Sequence, residues 1–142
     1  MTTYYSAELA GQYSNPAVKP AAPNGVNSKL RRFTATVTLA SQTTSDTIVI
    51  GQIPTGMDFC FGTMTSTVSL GTSTVAIGYS GATGAYRTAA TFTATDTPTM
   101  FGNAAQVKAA PLTAEQQVFI TIGTASLPAS GTLIVDLYFA GA

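Results

Sequence analysis

The sequence predicts an all-β fold: a β-sandwich, jelly-roll or immunoglobulin-like, of about seven to eight strands, preceded by an extended N-terminal arm. Three observations predict it. From residue 32 onward apolar residues recur with period two. Turn signals rich in Gly, Pro, Ser and Asp interrupt that pattern roughly every ten residues. Ahead of it, residues 15–25 read NPAVKPAAPNG, with three prolines and no apolar period. The expected division is an arm over 1–32 and a sandwich domain over 33–142.

In the arm, Pro16, Pro20 and Pro23 remove backbone donors and hold φ near −65°, and the residues before them are pushed to extended conformations. An extended, polyproline-like segment follows. Tyr4, Tyr5 and Tyr13 give it large apolar bodies with polar tips, which suit pockets on another surface. Residues 1–32 carry Lys19, Lys29, Arg31 and Arg32 against Glu8, a net of +3; residues 33–142 carry Arg87 and Lys108 against Asp46, Asp58, Asp96, Glu115 and Asp136, a net of −3. A basic arm thus precedes an acidic body. Tyr4, Tyr5, Tyr13, Pro16, Val18, Lys19, Lys29, Arg31 and Arg32 are the expected partner-binding residues.

The strands follow in order. In RFTATVTLA, Phe33, Ala35, Val37 and Leu39 share one face and Arg32, Thr34, Thr36 and Thr38 the other, the pattern of a half-buried strand. SQTTSD is a polar turn, DTIVIG a short buried strand and IPTG (Ile53 to Gly56) a turn. MDFCFGTMTSTVSLG is long and β-prone, with Gly62 as a candidate bulge. STVAIGYS sets Val75, Ile77 and Tyr79 on one face. GATG reads as a loop, and YRTAATFTAT as a strand whose alanines leave helix open. Residues 96–112 show no regular pattern and suggest a long loop or edge. PLTAEQQ has the capping-box spacing of a short helix at Thr113 and Gln116, and equally suits a turn. QVFITIGT turns Val118, Ile120 and Ile122 inward; ASLPASG is a turn. GTLIVDLYFA closes the chain with Leu133, Val135, Leu137 and Phe139 on one side.

Composition narrows the function. The chain has 142 residues, 45% of them hydrophobic, so one domain with a true core is expected. Only 8% are charged and the net charge is zero, where ordinary domains carry about 25% charged residues. Such a surface is poorly protected against association; it suits a protein covered by neighbours in an assembly and equally a Thr-rich β domain that is simply soluble. No apolar run is long enough to span a bilayer. The start MTTYYSAELAGQYSNP lacks the basic and apolar regions of a secretory signal, so synthesis and assembly in the cytoplasm are expected. The sole cysteine, Cys60, cannot form an internal disulfide and reads as a small buried side chain.

Catalysis is not expected. The chain has no histidine, which removes the commonest general base and metal ligand and excludes Ser–His and Cys–His nucleophiles. No clustered Cys and His suggest zinc, and the acids follow no calcium-loop spacing. Asp46 and Asp58 each adjoin a turn, where solvated Asp is ordinary. GYSGATG fails as a nucleophile elbow because Ala82 stands where the second glycine belongs. LPASG at 127–131 lacks the apolar span and basic end of a sorting signal and reads as a turn. KLRRF at 29–33 is too small a basic patch for nucleic acid beside an acidic body. No cofactor, metal, nucleic acid or membrane is expected.

One ordered set of segments carries a resemblance: a TYY start, a Pro/Lys-containing arm, basic residues before the first strand, IPTG, SLG, TVAIGYS, YRTAA, LTAEQQVFIT and LPASGTLIVDLYF. The chain resembles the head decoration or cement proteins of tailed bacteriophages over most of its length. The resemblance implies a non-enzymatic structural protein on the capsid exterior, assembled in the host cytoplasm. It implies bridging of neighbouring major capsid subunits, with the major capsid protein and sister copies as partners and a trimer or dimer as the oligomer. The alternative is a carbohydrate- or receptor-binding virion or surface adhesin, which would present exposed aromatic platforms; the chain has no tryptophan.

Overall fold

The computed structural model of the chain describes residues 29–107 and 110–141. They form eight strands: β1 (Lys29–Thr38), β2 (Thr47–Ile53), β3 (Asp58–Ser66), β4 (Thr74–Tyr79), β5 (Ala82–Thr91), β6 (Thr99–Phe101), β7 (Gln116–Gly123) and β8 (Thr132–Gly141). One helical turn, α1 (Ala104–Val107), lies between β6 and β7. The strands build two four-stranded antiparallel sheets, ordered β1-β8-β3-β6 and β2-β7-β4-β5. The partners are nested: β1 takes β8, β2 takes β7, β3 takes β6 and β4 takes β5. A long hairpin rolled onto itself gives this order, so of the two connections the sequence allowed, the jelly roll is the one formed.

The first strand begins at Lys29, four residues ahead of the expected domain boundary at 33, so Lys29, Arg31 and Arg32 belong to the sandwich. Its pairing with β8 runs unbroken from Lys29↔Gly141 to Thr38↔Thr132. Alternation then does what period two predicts. Val37, Leu133, Val135, Leu137 and Phe139 are buried between the sheets, facing Val75, Ile77, Val118, Ile120 and Ile122. Each such side chain contributes about 1.5–3 kcal/mol by leaving water. At one end of the core the aromatic rings gather. Phe59 lies 4.4 Å from Tyr86 and 5.4 Å from Phe139, and Phe33 meets Phe139 edge-on at 5.9 Å.

Three departures from the sequence pattern have local causes. In β3 the bulge falls between Phe59 and Phe61, at Cys60, not at Gly62. The extra residue lets Phe59 point inward and Phe61 outward, and Cys60 is consequently half-buried rather than buried. Gly62 is needed for another reason: a Cβ there would sit 2.2 Å from the Phe101 ring. In β5 two register shifts break the period, and the expected loop GATG is strand from Ala82 onward, joined to β4 by a turn at Ser80–Gly81. The shifted strand crosses over Gly78, where a Cβ would meet Ala82 O at 2.2 Å. Finally, PLTAEQQ does not form a helix. Leu112 bonds both ways with the turn between β2 and β3, accepting from Gly56 N at 2.8 Å and donating to Met57 O at 3.0 Å, and Gln116 opens β7.

Two side chains fasten the irregular strand. The half-buried Arg87 guanidinium donates to the carbonyls of Val75, Ala90 and Thr91, tying β4 to the end of β5. Burial lowers its pKa from the ordinary value. Asn103 donates from Nδ2 to Gly84 O (2.9 Å) and Ala85 O (3.0 Å), while its own backbone carbonyl accepts from the amides of Gln106 and Val107 in α1. Of the loop or edge expected over 96–112, the described residues include an edge strand, β6, paired with β3, and Asn103, just ahead of α1, is tied to β5.

Candidate interaction surface

The described residues hold no constellation of three or more His, Cys, Asp or Glu side chains able to bind a metal, and no helix long and apolar enough to cross a membrane. The features that remain are surfaces. Strand pairing assigns them: residues opposite one another point to the same side of a sheet. On the outer side of the β1-β8-β3-β6 sheet, one row runs Arg32, Tyr138, Phe61 and the next Thr34, Asp136, Thr63, Met100.

Threonines were expected to dominate this side, and on β1 they do. The centre differs. Phe61 and Tyr138 stack with ring centroids 4.5 Å apart and an interplanar angle of 13°. Cys60, Phe61, Met100, Phe101, Gly102 and Val107 line a shallow cleft beside them. Desolvation first, then the Asp58 carboxylate, push the Cys60 thiol above its ordinary pKa, the direction that disfavours the thiolate. The stacked pair spends one face of each ring on the other, which leaves less aromatic platform than the adhesin alternative anticipates.

Four large apolar side chains among the described residues are mostly exposed: Leu30 (55%), Val49 (53%), Met100 (68%) and Val107 (49%). They fall into two groups. Met100 and Val107 lie on the β6 and α1 flank. Leu30 and Val49 lie on the opposite flank, where the edge strands β1 and β2 of the two sheets run together. Sequence reasoning missed all four. Leu30 was assigned to the arm, Met100 and Val107 sit in the patternless 96–112 segment, and Val49 is turned outward beside a bulge at Ile50 that the sequence does not announce.

Of the expected partner-binding residues, Tyr4, Tyr5, Tyr13, Pro16, Val18 and Lys19 lie outside the described residues. Lys29 is exposed at the head of β1, opposite Gly141. Arg31 is exposed on the same side of β1 as Phe33, at the end of the sandwich. Arg32, expected to meet an acidic surface of a neighbour, bonds instead to Asp136 of its own sheet at 3.2 Å. That hydrogen bond and charge raise the Arg32 pKa above its ordinary value. Thr63 Oγ1 donates to the same carboxylate oxygen at 3.5 Å.

No protein-family model matches the chain, and no curated protein matches it. Its fold, however, recurs in solved phage structures. A chain of the cyanophage Pam1 capsid asymmetric unit superposes with a TM-score of 0.70 at 18% identity, over 91% of this chain and 96% of that one. A chain of the Ralstonia phage GP4 capsid gives 0.62 at 15% identity, over 88% and 91%. A chain of the acid-stable capsid of Helicobacter pylori bacteriophage KHP30 gives 0.58 at 11% identity, over 80% and 88%. The eight-stranded sandwich is therefore a fold that phage capsids contain, matched across nearly its whole length.

Proposed function

We propose that the chain is a non-enzymatic structural protein of a bacteriophage virion that decorates the outside of the capsid shell. The observation that carries this reading is the end-to-end match of the sandwich to a chain of the Pam1 capsid asymmetric unit, covering 96% of that chain. A match to a whole chain, not to one domain of a larger one, favours a protein of this size acting as a separate shell component. The low charge and the absence of histidine support it from the sequence side.

In this role the sandwich is the rigid body, and residues 1–28 reach over neighbouring major capsid subunits. Tyr4, Tyr5 and Tyr13 fill pockets, Pro16 and its companions lower the entropy lost on ordering, and Lys19 meets acidic groups. Weak contacts repeated around a shell add by multivalency. Assembly takes place in the host cytoplasm, with sister copies and the major capsid protein as partners. Lys29 and Arg31, at the junction, extend the basic end. Arg32 bonds to Asp136 of its own sheet.

The test is co-sedimentation with shells stripped of this protein. The variant lacking residues 2–28 keeps every described strand and is expected to retain its β-sheet circular dichroism while losing shell binding. Full occupancy by that variant would remove the arm from the mechanism; failure of the intact chain to bind any shell would remove the decorating role.

A further inference from the structure

The edges of the two sheets are not alike. β2 is bulged at Ile50, β5 is shifted twice against β4, and β6 has three residues. These are the devices by which natural sheets discourage strand addition. β1 has none of them. It keeps one register over ten residues, contains no proline and, among the described residues, pairs on one side only, with β8. Its charges, Lys29, Arg31 and Arg32, are confined to one end; Phe33 to Thr38 carry none.

The core is also open along this edge. Phe33 and Ala35 point between the sheets yet stay partly exposed, while Leu137 and Val135, their partners in β8, are fully buried. Ile48 on β2, which points the same way, is likewise half-buried. A further strand beside β1 would cover this line.

We propose that β1 pairs antiparallel with β1 of a second copy, joining two sheets into one across a two-fold axis. Charge favours this sense. Antiparallel pairing sets the basic end of each strand beside the partner's turn before β2, where Asp46 is exposed. Parallel pairing would align cation with cation. Because facing residues share a side of the sheet, near-complete overlap requires Phe33 or Thr34 to face its own counterpart. The two chains then enter β1 at opposite ends of the joint, so their leading residues depart in opposite directions. The pairing goes beyond the capsid role and does not rest on it, and its test uses no shell, so each idea fails separately.

The experiment is sedimentation velocity of the full chain over a wide concentration range. The expected result is a monomer–dimer equilibrium. Thr34→Lys combined with Thr36→Lys, both at exposed sites, puts like charges face to face and moves the midpoint at least about tenfold to higher concentration, with unchanged circular dichroism and melting. Mixing that variant with the Thr34→Glu, Thr36→Glu variant restores the dimer. A strictly monomeric or trimeric parent, a lysine variant that dimerises as well as the parent, or a charge-swapped mixture that stays monomeric each overturns the proposal.

Discussion

Replacing Tyr86 by phenylalanine should make stability less sensitive to alkali. Tyr86 is 1% exposed. Its ring packs on Phe59 and, at 5.9 Å, on Phe139 and Tyr79, and its hydroxyl donates to Gln116 Oε1. Desolvation first, and Tyr79 second, raise its pKa far above the ordinary value. The sign follows from linkage. Unfolded tyrosine ionises near pH 10, folded Tyr86 well above it, so beyond pH 10 the unfolded state binds fewer protons and stability falls as pH rises. The Tyr86 contribution is whole below pH 10 and shrinks by up to about 1.4 kcal/mol per pH unit above it. At pH 7 the phenylalanine variant loses one hydrogen bond and leaves the Gln116 oxygen short of a donor, a cost of about 1–2 kcal/mol. By pH 11 that gap should have closed by about 1.4 kcal/mol, because only the parent suffers from ionisation of this group on unfolding. Urea unfolding of both proteins at pH 7, 9, 10 and 11 reads the difference directly. The other tyrosines and Cys60 are common to both and cancel. A difference that stays constant from pH 7 to 11 would refute the reasoning, since the folded hydroxyl would then ionise as readily as the unfolded one.

Three further outcomes are expected. Gly78→Ala should cost about 3 kcal/mol, at the upper end of overpacking, because its Cβ would strike β5 backbone at Ala82 O and at Thr83 C, 2.6 Å away; Gly51→Ala, whose Cβ meets side chains at 3.5 Å, is the control and should melt within a few degrees of the parent. Arg87→Met should cost about 2–3 kcal/mol in urea unfolding, since three carbonyls lose a charged donor. Thr124, a β-branched residue at φ 69° in the turn after β7, should gain up to about 1 kcal/mol on replacement by glycine, seen as a raised melting temperature; a lowered one would mean the turn tolerates the side chain.

How far the fold was legible depended on whether a strand kept its period. β1, β7 and β8 alternate without interruption, and their core residues Val37, Val118, Ile120, Leu133 and Leu137 are buried as read. β5 hides its pattern because register shifts leave Tyr86 as its sole buried side chain. In β3 the period-two reading is broken by one residue, Cys60, and the glycine two positions later drew the assignment because glycine so often marks bulges; here it makes room for Phe101. The topology was not legible at all, since nested pairing joins residues as remote as Lys29 and Gly141, and no local signal encodes that. The exposed apolar groups were hidden for a related reason: Leu30, Val49, Met100 and Val107 lie at strand beginnings, bulges and the helical turn, where periodicity has no say.

The placement of the leader bears on the proposed role. The chain enters the sandwich at Lys29, and β1 runs directly away from that point along β8 for its full ten residues. If a shell holds residues 1–28, tension enters along the strand axis. Antiparallel ladder bonds lie perpendicular to that axis, so the load is shared across the whole register rather than opening one pair at a time. The Arg32–Asp136 bridge, with the arginine side chain 57% exposed, adds little by itself. What resists sliding is register: displacement by one residue would turn Phe33 and Val37 out of the core and Thr34 and Thr36 into it. A strand with a bulge or a proline near its head would concentrate the load there. The features that leave the β1 edge undefended against another strand are therefore the same ones that make β1 a sound anchor.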